Sequence, residues 1–427
     1  MNAARSGGAA WLALGLALAA FSAISCGGMA RDGQRRSDGA TVAQERAPTD
    51  APAPRRPSKV YYVSHNGDDA HDGSRKRPWR TIAHAAARAG PGSLVRVRPG
   101  NYPGPIVLRR SGRPGRRITF AATTRWGARI SATSSASLAV VQIDGDYVDV
   151  EGFAISGRGG DGTAGIAMQG SYERALGNHV HDVVIACNGG VNGGAGIVAG
   201  SGNPNYGNHD LEVAGNLVHD VVGTPTRRCN GVQGIYAAVP RVRVVNNIAY
   251  RNGHDCITSW HAASQLTIVN NIVADCPAAG ITIGSGDTGA APHGNHDSFV
   301  ANNLVLRNRQ GIVETTDGRH PVGRGNHYVD NLIFASGPLD AFRPGNSLSR
   351  EASVSGTLGT DPRVLSGNHY RVTAGSPAID AGTKVRAPSS DFDDVARPQG
   401  RGVDIGAYEW RSTTRARSVP AATSATG

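Results

Sequence analysis

The chain has 427 residues, enough for one long repeat body or for two or three globular domains. Aromatic residues make up only 5% of it against 58 glycines, which excludes a globule built on large aromatic side chains and favours stacked short strands filled by small and β-branched residues. The formal net charge of +11 sits mostly at the ends: residues 1–59 carry eight basic and four acidic side chains, three arginines follow Trp410, and between them 33 basic side chains face 29 acidic ones, so no nucleic-acid partner is expected.

Taken in chain order, Arg5, an apolar run from Ala9 to Phe21 and small residues ending at Cys26 read as an export signal too short to span a membrane. The stretch Ala23-Ile24-Ser25-Cys26 resembles a lipobox, with Ala23 standing where Leu is commoner; that resemblance makes Cys26 the lipidated residue, and an ordinary cleaved signal peptide is the alternative. Residues 27–58 are rich in Arg, Pro, Ala and Asp with no apolar period and predict a disordered tether, as do residues 411–427 for a tail. The expected organisation is a signal over 1–26, a tether over 27–58 and one body over 59–410. It would be a monomer in the cell envelope or secreted, touching membrane only through its lipid.

The body opens with a strand at Val60–Val63 and a short amphipathic helix from Thr81 to Ala89, placed to plug the first coil of a repeat. Residues 94–155 alternate Val/Ile strands with Gly/Pro turns. Beyond them two registers alternate. One is Gly165-Ile166, Gly196-Ile197, Gly234-Ile235, Cys256-Ile257, Gly280-Ile281 and Gly311-Ile312; the other is Asn178, Asn216, Asn247, Asn271, Asn303 and Asn331, with repeats as short as 22 and 24 residues. That period fits a solenoid coil of three short parallel strands, with an inner Ile ladder and an Asn ladder at a turn. Gly-Asn-His recurs before His179, His209, His296, His327 and His369 as a turn phrase. Outside the export signal the cysteines are Cys187, Cys229, Cys256 and Cys276; they contain no CxxC, and a Cys187–Cys229 disulfide joining two Cys-Asn-Gly loops is the expected pairing.

The phrases Tyr61-Tyr62-Val63-Ser64-His65-Asn66-Gly67-Asp68-Asp69, Pro78-Trp79-Arg80-Thr81-Ile82 and Val97-Arg98-Pro99-Gly100-Asn101-Tyr102 resemble the opening of parallel β-helix polysaccharide lyases, pectate and chondroitin or alginate lyases among them. Ser376-Pro377-Ala378-Ile379-Asp380-Ala381-Gly382 and Asp404-Ile405-Gly406-Ala407-Tyr408-Glu409 are similar to the closing segment of exported bacterial β-helix proteins. The resemblance implies an all-β, right-handed parallel β-helix and a polysaccharide or glycan partner. It is weaker for chemistry, because the same fold serves epimerases, hydrolases and adhesins.

Insertions locate the chemistry. From Ile to the following Asn there are 12 residues after Ile235 and 14 after Ile257, but 19 after Ile197, 22 after Ile281 and 19 after Ile312, so two short coils lie between long loops. Period-two alternation puts Tyr236, Asp255 and Thr258 on the groove floor, with Trp260 and His261 at the strand end. Asp287, His293, Asp297, Glu314 and Asp317 fall on its walls. Tyr236 and Trp260 offer stacking faces for sugar rings, with Arg227 and Glu314 as further substrate contacts. Asp287 and Asp297 are the candidate ligands of Ca²⁺. The three lysines, Lys59, Lys76 and Lys384, all lie outside the central coils, so a Lys base does not carry over from the lyases. His261, His254, Tyr236 or an arginine such as Arg227 or Arg228 remain as bases, with Asp255 and Asp287 as the acidic partners. A rival site is the repeated Val-His-Asp-Val-Val at 180–184 and 218–222, a metal-binding or, preferably, a hydrogen-bonded structural ladder, and Asp391, Asp393 and Asp394 form an acidic loop that suggests Ca²⁺ weakly and is expected to be solvated. The expected function is β-elimination of an acidic polysaccharide; the alternatives are a non-catalytic glycan-binding or adhesin-like β-helix, and an epimerase or hydrolase.

Overall fold

The computed structural model describes residues 56–133, 138–158, 164–187, 193–200, 207–224, 229, 231–261, 263–286, 294–336, 351–365, 367 and 369–411. Cys26 and most of both expected terminal segments lie outside them, and among them no helix is long and apolar enough to cross a membrane.

Apart from a two-stranded pair, Asn295–His296 with Val322–Arg324, the strands stack into three parallel sheets of eleven, nine and eight members, which the chain visits in turn as it winds into a right-handed β-helix. One coil runs through Arg243–Val245 of the eleven-stranded sheet, Ile248–Tyr250 of the nine-stranded sheet and Ile257–Ser259 of the eight-stranded sheet. Strands this short satisfy their backbone only by pairing with the coils above and below. The inner Ile ladder is in register from Ile166 through Ile197, Ile235, Ile257 and Ile281 to Ile312, with every member at most 2% exposed.

The residue before each Ile is glycine for want of room. A Cβ on Gly196 would stand 2.5 Å from Val218 Cγ1, and one on Gly280 would stand 2.6 Å from Val305 Cγ1. At Cys256 the exception is used: it pairs with Cys276, and Cys187 pairs with Cys229 as the spacing predicted, with Cα atoms 5.7 and 5.5 Å apart.

The turn from the eleven- to the nine-stranded sheet carries the Asn ladder. Each Asn Oδ1 accepts from the backbone N–H and side-chain amide of the Asn one coil below, at 2.9–3.1 Å, from Asn178 to Asn331. All six are fully buried. The preceding Asn246, Asn270 and Asn302 take the left-handed turn conformation, with φ of 54–57°, which Asn tolerates well.

Helix α1, Ile82–Arg88, is capped by Thr81, whose hydroxyl accepts from the His84 N–H, and it buries Ile82, Ala85 and Ala86 against the first coil. At the other end a C-terminal segment lies on the outer face of the nine-stranded sheet. Ala378, Phe392, Ile405, Ala407 and Tyr408 cover Leu217, Ile248, Ile272, Leu304 and Leu332. The turn asparagines hold it: Asn246 donates to the Ser390 carbonyl, Asn270 to Asp404 and Gly406, and Asn302 to Thr383. Asp391, expected to be solvated, is instead 4% exposed, because its carboxylate accepts from the N–H groups of Asp393, Val395 and Glu409.

Candidate active site

The outer face of the eight-stranded sheet carries Tyr236, Thr258 and Thr282 side by side on successive strands. Directly after Ile257–Ser259 the chain turns away through Trp260 and His261, the latter at φ 57°. The Trp260 ring spans the backbone of the next coil: a Cβ on Gly284 would come 2.4 Å from its Cε3, and one on Gly286 would come 2.4 Å from its Cζ2. Both glycines are therefore required for the indole to lie there. His261 stands edge-on to Tyr236, with ring centroids 5.8 Å apart. Together these rings make a half-exposed aromatic platform at one end of the sheet.

Asp317 closes on the same Gly286, its Cβ 3.1 Å from where a side chain would begin. Its Oδ1 accepts from the N–H groups of Arg319 and His320 at 2.9 and 3.0 Å, and its Oδ2 accepts from His320 Nδ1 at 2.8 Å. The carboxylate is thus locked by its own turn and accepts the Nδ1 proton of His320, which orients the ring and leaves Nε2 as the nitrogen for proton transfer. A histidine so oriented is a competent general base. His320 escaped sequence reasoning; the signal was Asp-Gly-Arg-His, an Asp positioned to cap the turn that holds the histidine.

Several expected members of the site lie elsewhere. Asp255 and His261 sit at opposite ends of the strand Ile257–Ser259, so they do not converge. Asp255 is 5% exposed and serves the fold, its Oδ1 accepting from the Ala279 N–H and its Oδ2 from the Thr258 hydroxyl, both at 2.8 Å. Burial alone would raise its carboxyl, but bonds from His254, Ala279 and Thr258 outweigh that and hold it below its ordinary range. His254 stays at that far edge, 3.4 Å from Asp255, which pushes its pKa up.

Glu314 is not on a wall. It pairs across strands with Ile283, points into the core, and accepts hydrogen bonds from Asn326 Nδ2 and from the hydroxyl of the fully buried Tyr328. Asp297 is exposed at a corner and bonded to His296 Nδ1 at 2.7 Å. Asp287, His293, Arg227 and Arg228 lie outside the described residues. Among the described residues no three His, Cys, Asp or Glu side chains gather as a metal cage, and Asp287, the other expected Ca²⁺ ligand, lies outside them.

The rival His-Asp pairs do stack, His181 over His219 in register, on the outer face of the nine-stranded sheet. His219 donates from Nδ1 to Asp220, which Arg251 grips with bonds of 2.9 and 2.6 Å, and His179 Nε2 lies 2.8 Å from His219 Nε2. With Nδ1 of His219 spent on Asp220, its Nε2 accepts and His179 donates. Tyr250 stacks on His219 at 4.7 Å, and the C-terminal segment brings His369 and Tyr370 over Tyr250. The cluster is a hydrogen-bonded seam beside the C-terminal cover.

Comparison with known proteins agrees with this architecture. Residues 65–106 match the family described as Protein of unknown function (DUF1565). A 59-residue stretch is 42% identical to the uncharacterized protein YwoF of Bacillus subtilis (strain 168), spanning 14% of this chain and 13% of that protein. Over 408 residues the chain is 24% identical to pectate lyase L of Dickeya dadantii (strain 3937), covering 82% of this chain and 90% of that protein. The crystal structure of pectate lyase Pel9A superposes with a TM-score of 0.58 at 17% identity, over 83% of this chain and 96% of that one, a likeness of fold.

Proposed function

We propose that the protein is an extracytoplasmic polysaccharide lyase that cleaves a uronate-bearing polysaccharide by β-elimination on the outer face of the eight-stranded sheet. The observation that carries this reading is Asp317, which closes on the same glycine as Trp260 and holds His320 through Nδ1. The near full-length similarity to a pectate lyase supports it. A sugar ring stacks on Trp260 and Tyr236. His320 Nε2 removes the proton α to the uronate carboxylate, the electron pair forms the new double bond, and the bond to the β glycosidic oxygen breaks. That oxygen takes a proton from His261, and the exposed Arg319 on the His320 turn offsets the charge that builds on the carboxylate.

Loss of one proton-transfer group costs about 10²–10⁴-fold in rate. His320→Ala and His261→Ala are expected to lower kcat by that order, while Trp260→Ala raises KM with a smaller effect on kcat. Full turnover by His320→Ala would remove this assignment. The non-catalytic glycan-binding reading draws on the absence of lysine from the central coils; tight binding of uronan with no product would favour it.

A further inference from the structure

The outer face of the eleven-stranded sheet carries a groove of about 1160 Å³ lined by six arginines against three carboxylates. Its residues come from strands far apart in sequence. In one outward column Asp149, Arg174, Glu212 and Arg243 occupy successive strands in register, and Arg117 enters just before the strand that precedes Asp149. Guanidinium groups therefore recur at every second strand. At a strand spacing of about 4.8 Å that is a period of about 10 Å along the axis.

The intervening carboxylates are already spent. Asp149, whose side chain is 2% exposed, accepts from Arg117 Nε at 2.6 Å, from Arg174 twice at 2.8 Å and from the Thr119 hydroxyl. Asp210 is held by three bonds from Arg241. Glu212 lies 3.5 Å from Arg243. Arg116 is exposed and donates to the Pro91 carbonyl. A ladder serving only to neutralise itself would match its charges and fill its space, whereas this one keeps a cationic surplus over an open groove. Tyr147 and Tyr172 line it too, their rings stacked 4.5 Å apart.

We infer that this groove is a second, non-catalytic site that binds an extended uronate polysaccharide along the helix axis, on a different sheet from the candidate active site. In an extended two-fold uronan the carboxylates alternate sides, so every second one faces the protein. That repeat is commensurate with the spacing of Arg117, Arg174 and Arg243, and the guanidinium N–H groups not spent on Asp149, the Tyr172 carbonyl and Glu212 supply the charge-assisted hydrogen bonds to its carboxylates. The half-exposed tyrosine rings give pyranose C–H faces a surface to pack on. The site shares its ligand chemistry with the proposed reaction but uses none of its residues.

The test is retardation of the full chain in a gel containing polygalacturonate, followed by titration calorimetry with hexagalacturonate. Arg116→Gln, at an exposed position, and Arg243→Gln are each expected to weaken binding about tenfold, the loss of one charged contact. The Trp260→Ala/His320→Ala chain is expected to be retarded like wild type, so a failure of the lyase reading leaves this result standing. Unchanged retardation of the Arg116→Gln/Arg243→Gln chain would overturn the proposal. So would complete loss in the Trp260→Ala/His320→Ala chain, equal retardation by a neutral galactan, no retardation of wild type, or tighter binding of duplex DNA than of polygalacturonate.

Discussion

Asn271 shows what a single ladder residue does: its Oδ1 accepts from Asn247, its amide donates to Asn303 and to the Val244 carbonyl, and none of these groups reaches water. Removing it strands a buried N–H and amide on Asn247, so Asn271→Ala is expected to cost about 3 kcal/mol, read from the urea midpoint. A change near zero would mean that the column is not continuous. His179 makes a second residue-scale prediction. Burial first, then His181, His219 and His369, lower its pKa to about 3 from 6.5, against a smaller opposing pull from Asp182. The unfolded chain therefore binds more protons across that window, and stability falls as pH drops from 6.5 toward 3. Thermal midpoints measured across that window should decline more steeply in wild type than in His179→Gln; equal slopes would contradict the neutral-pair arrangement. The Asn and Ile ladders were legible because each recurs at one phase of the coil. Alternation from Ile312 already puts Glu314 inside, against its expected place on the groove wall. Asp255 shares the parity of Ile257, so the same count places it inward and not on the groove floor, in keeping with its burial.

At the scale of elements, the turns and disulfides decide where the loops stand. Cys256–Cys276 closes 20 residues around the strand that carries Trp260 and His261. Opening a loop of that size in the chain-entropy account costs about 3 kcal/mol, so Cys256→Ser/Cys276→Ser should unfold at correspondingly lower denaturant. Retention of the wild-type midpoint would show that neighbouring coils alone fix this turn. Insert lengths marked the short coils correctly, and the Trp260 platform sits there. They carried no information about His320, which Asp317 holds on a turn after the strand two along the sheet.

For the molecule as a whole, one end and one flank of the solenoid are covered. Helix α1 plugs the first coil, and the C-terminal segment seals the nine-stranded sheet with Arg397 and Glu409 ion-paired 2.6 Å apart out of contact with water. A chain truncated after residue 365 would expose Ile248, Ile272, Leu304 and Leu332 and is expected to aggregate or melt well below the full chain in light scattering and calorimetry. Truncation without effect would show the cover to be dispensable. The fold was readable from periodicity because it repeats. The arginine groove was hidden, since successive members of its column lie 25 or more residues apart and the body's charges nearly cancel in composition; only the coil gathers them. The claim on which the functional account turns is elimination, and the most direct measurement is ultraviolet absorbance during incubation of the body with polygalacturonate, with and without Ca²⁺. A rise from conjugated unsaturated uronate ends that disappears in His320→Ala is the predicted result; new reducing ends without that absorbance, or no product at all, would contradict it.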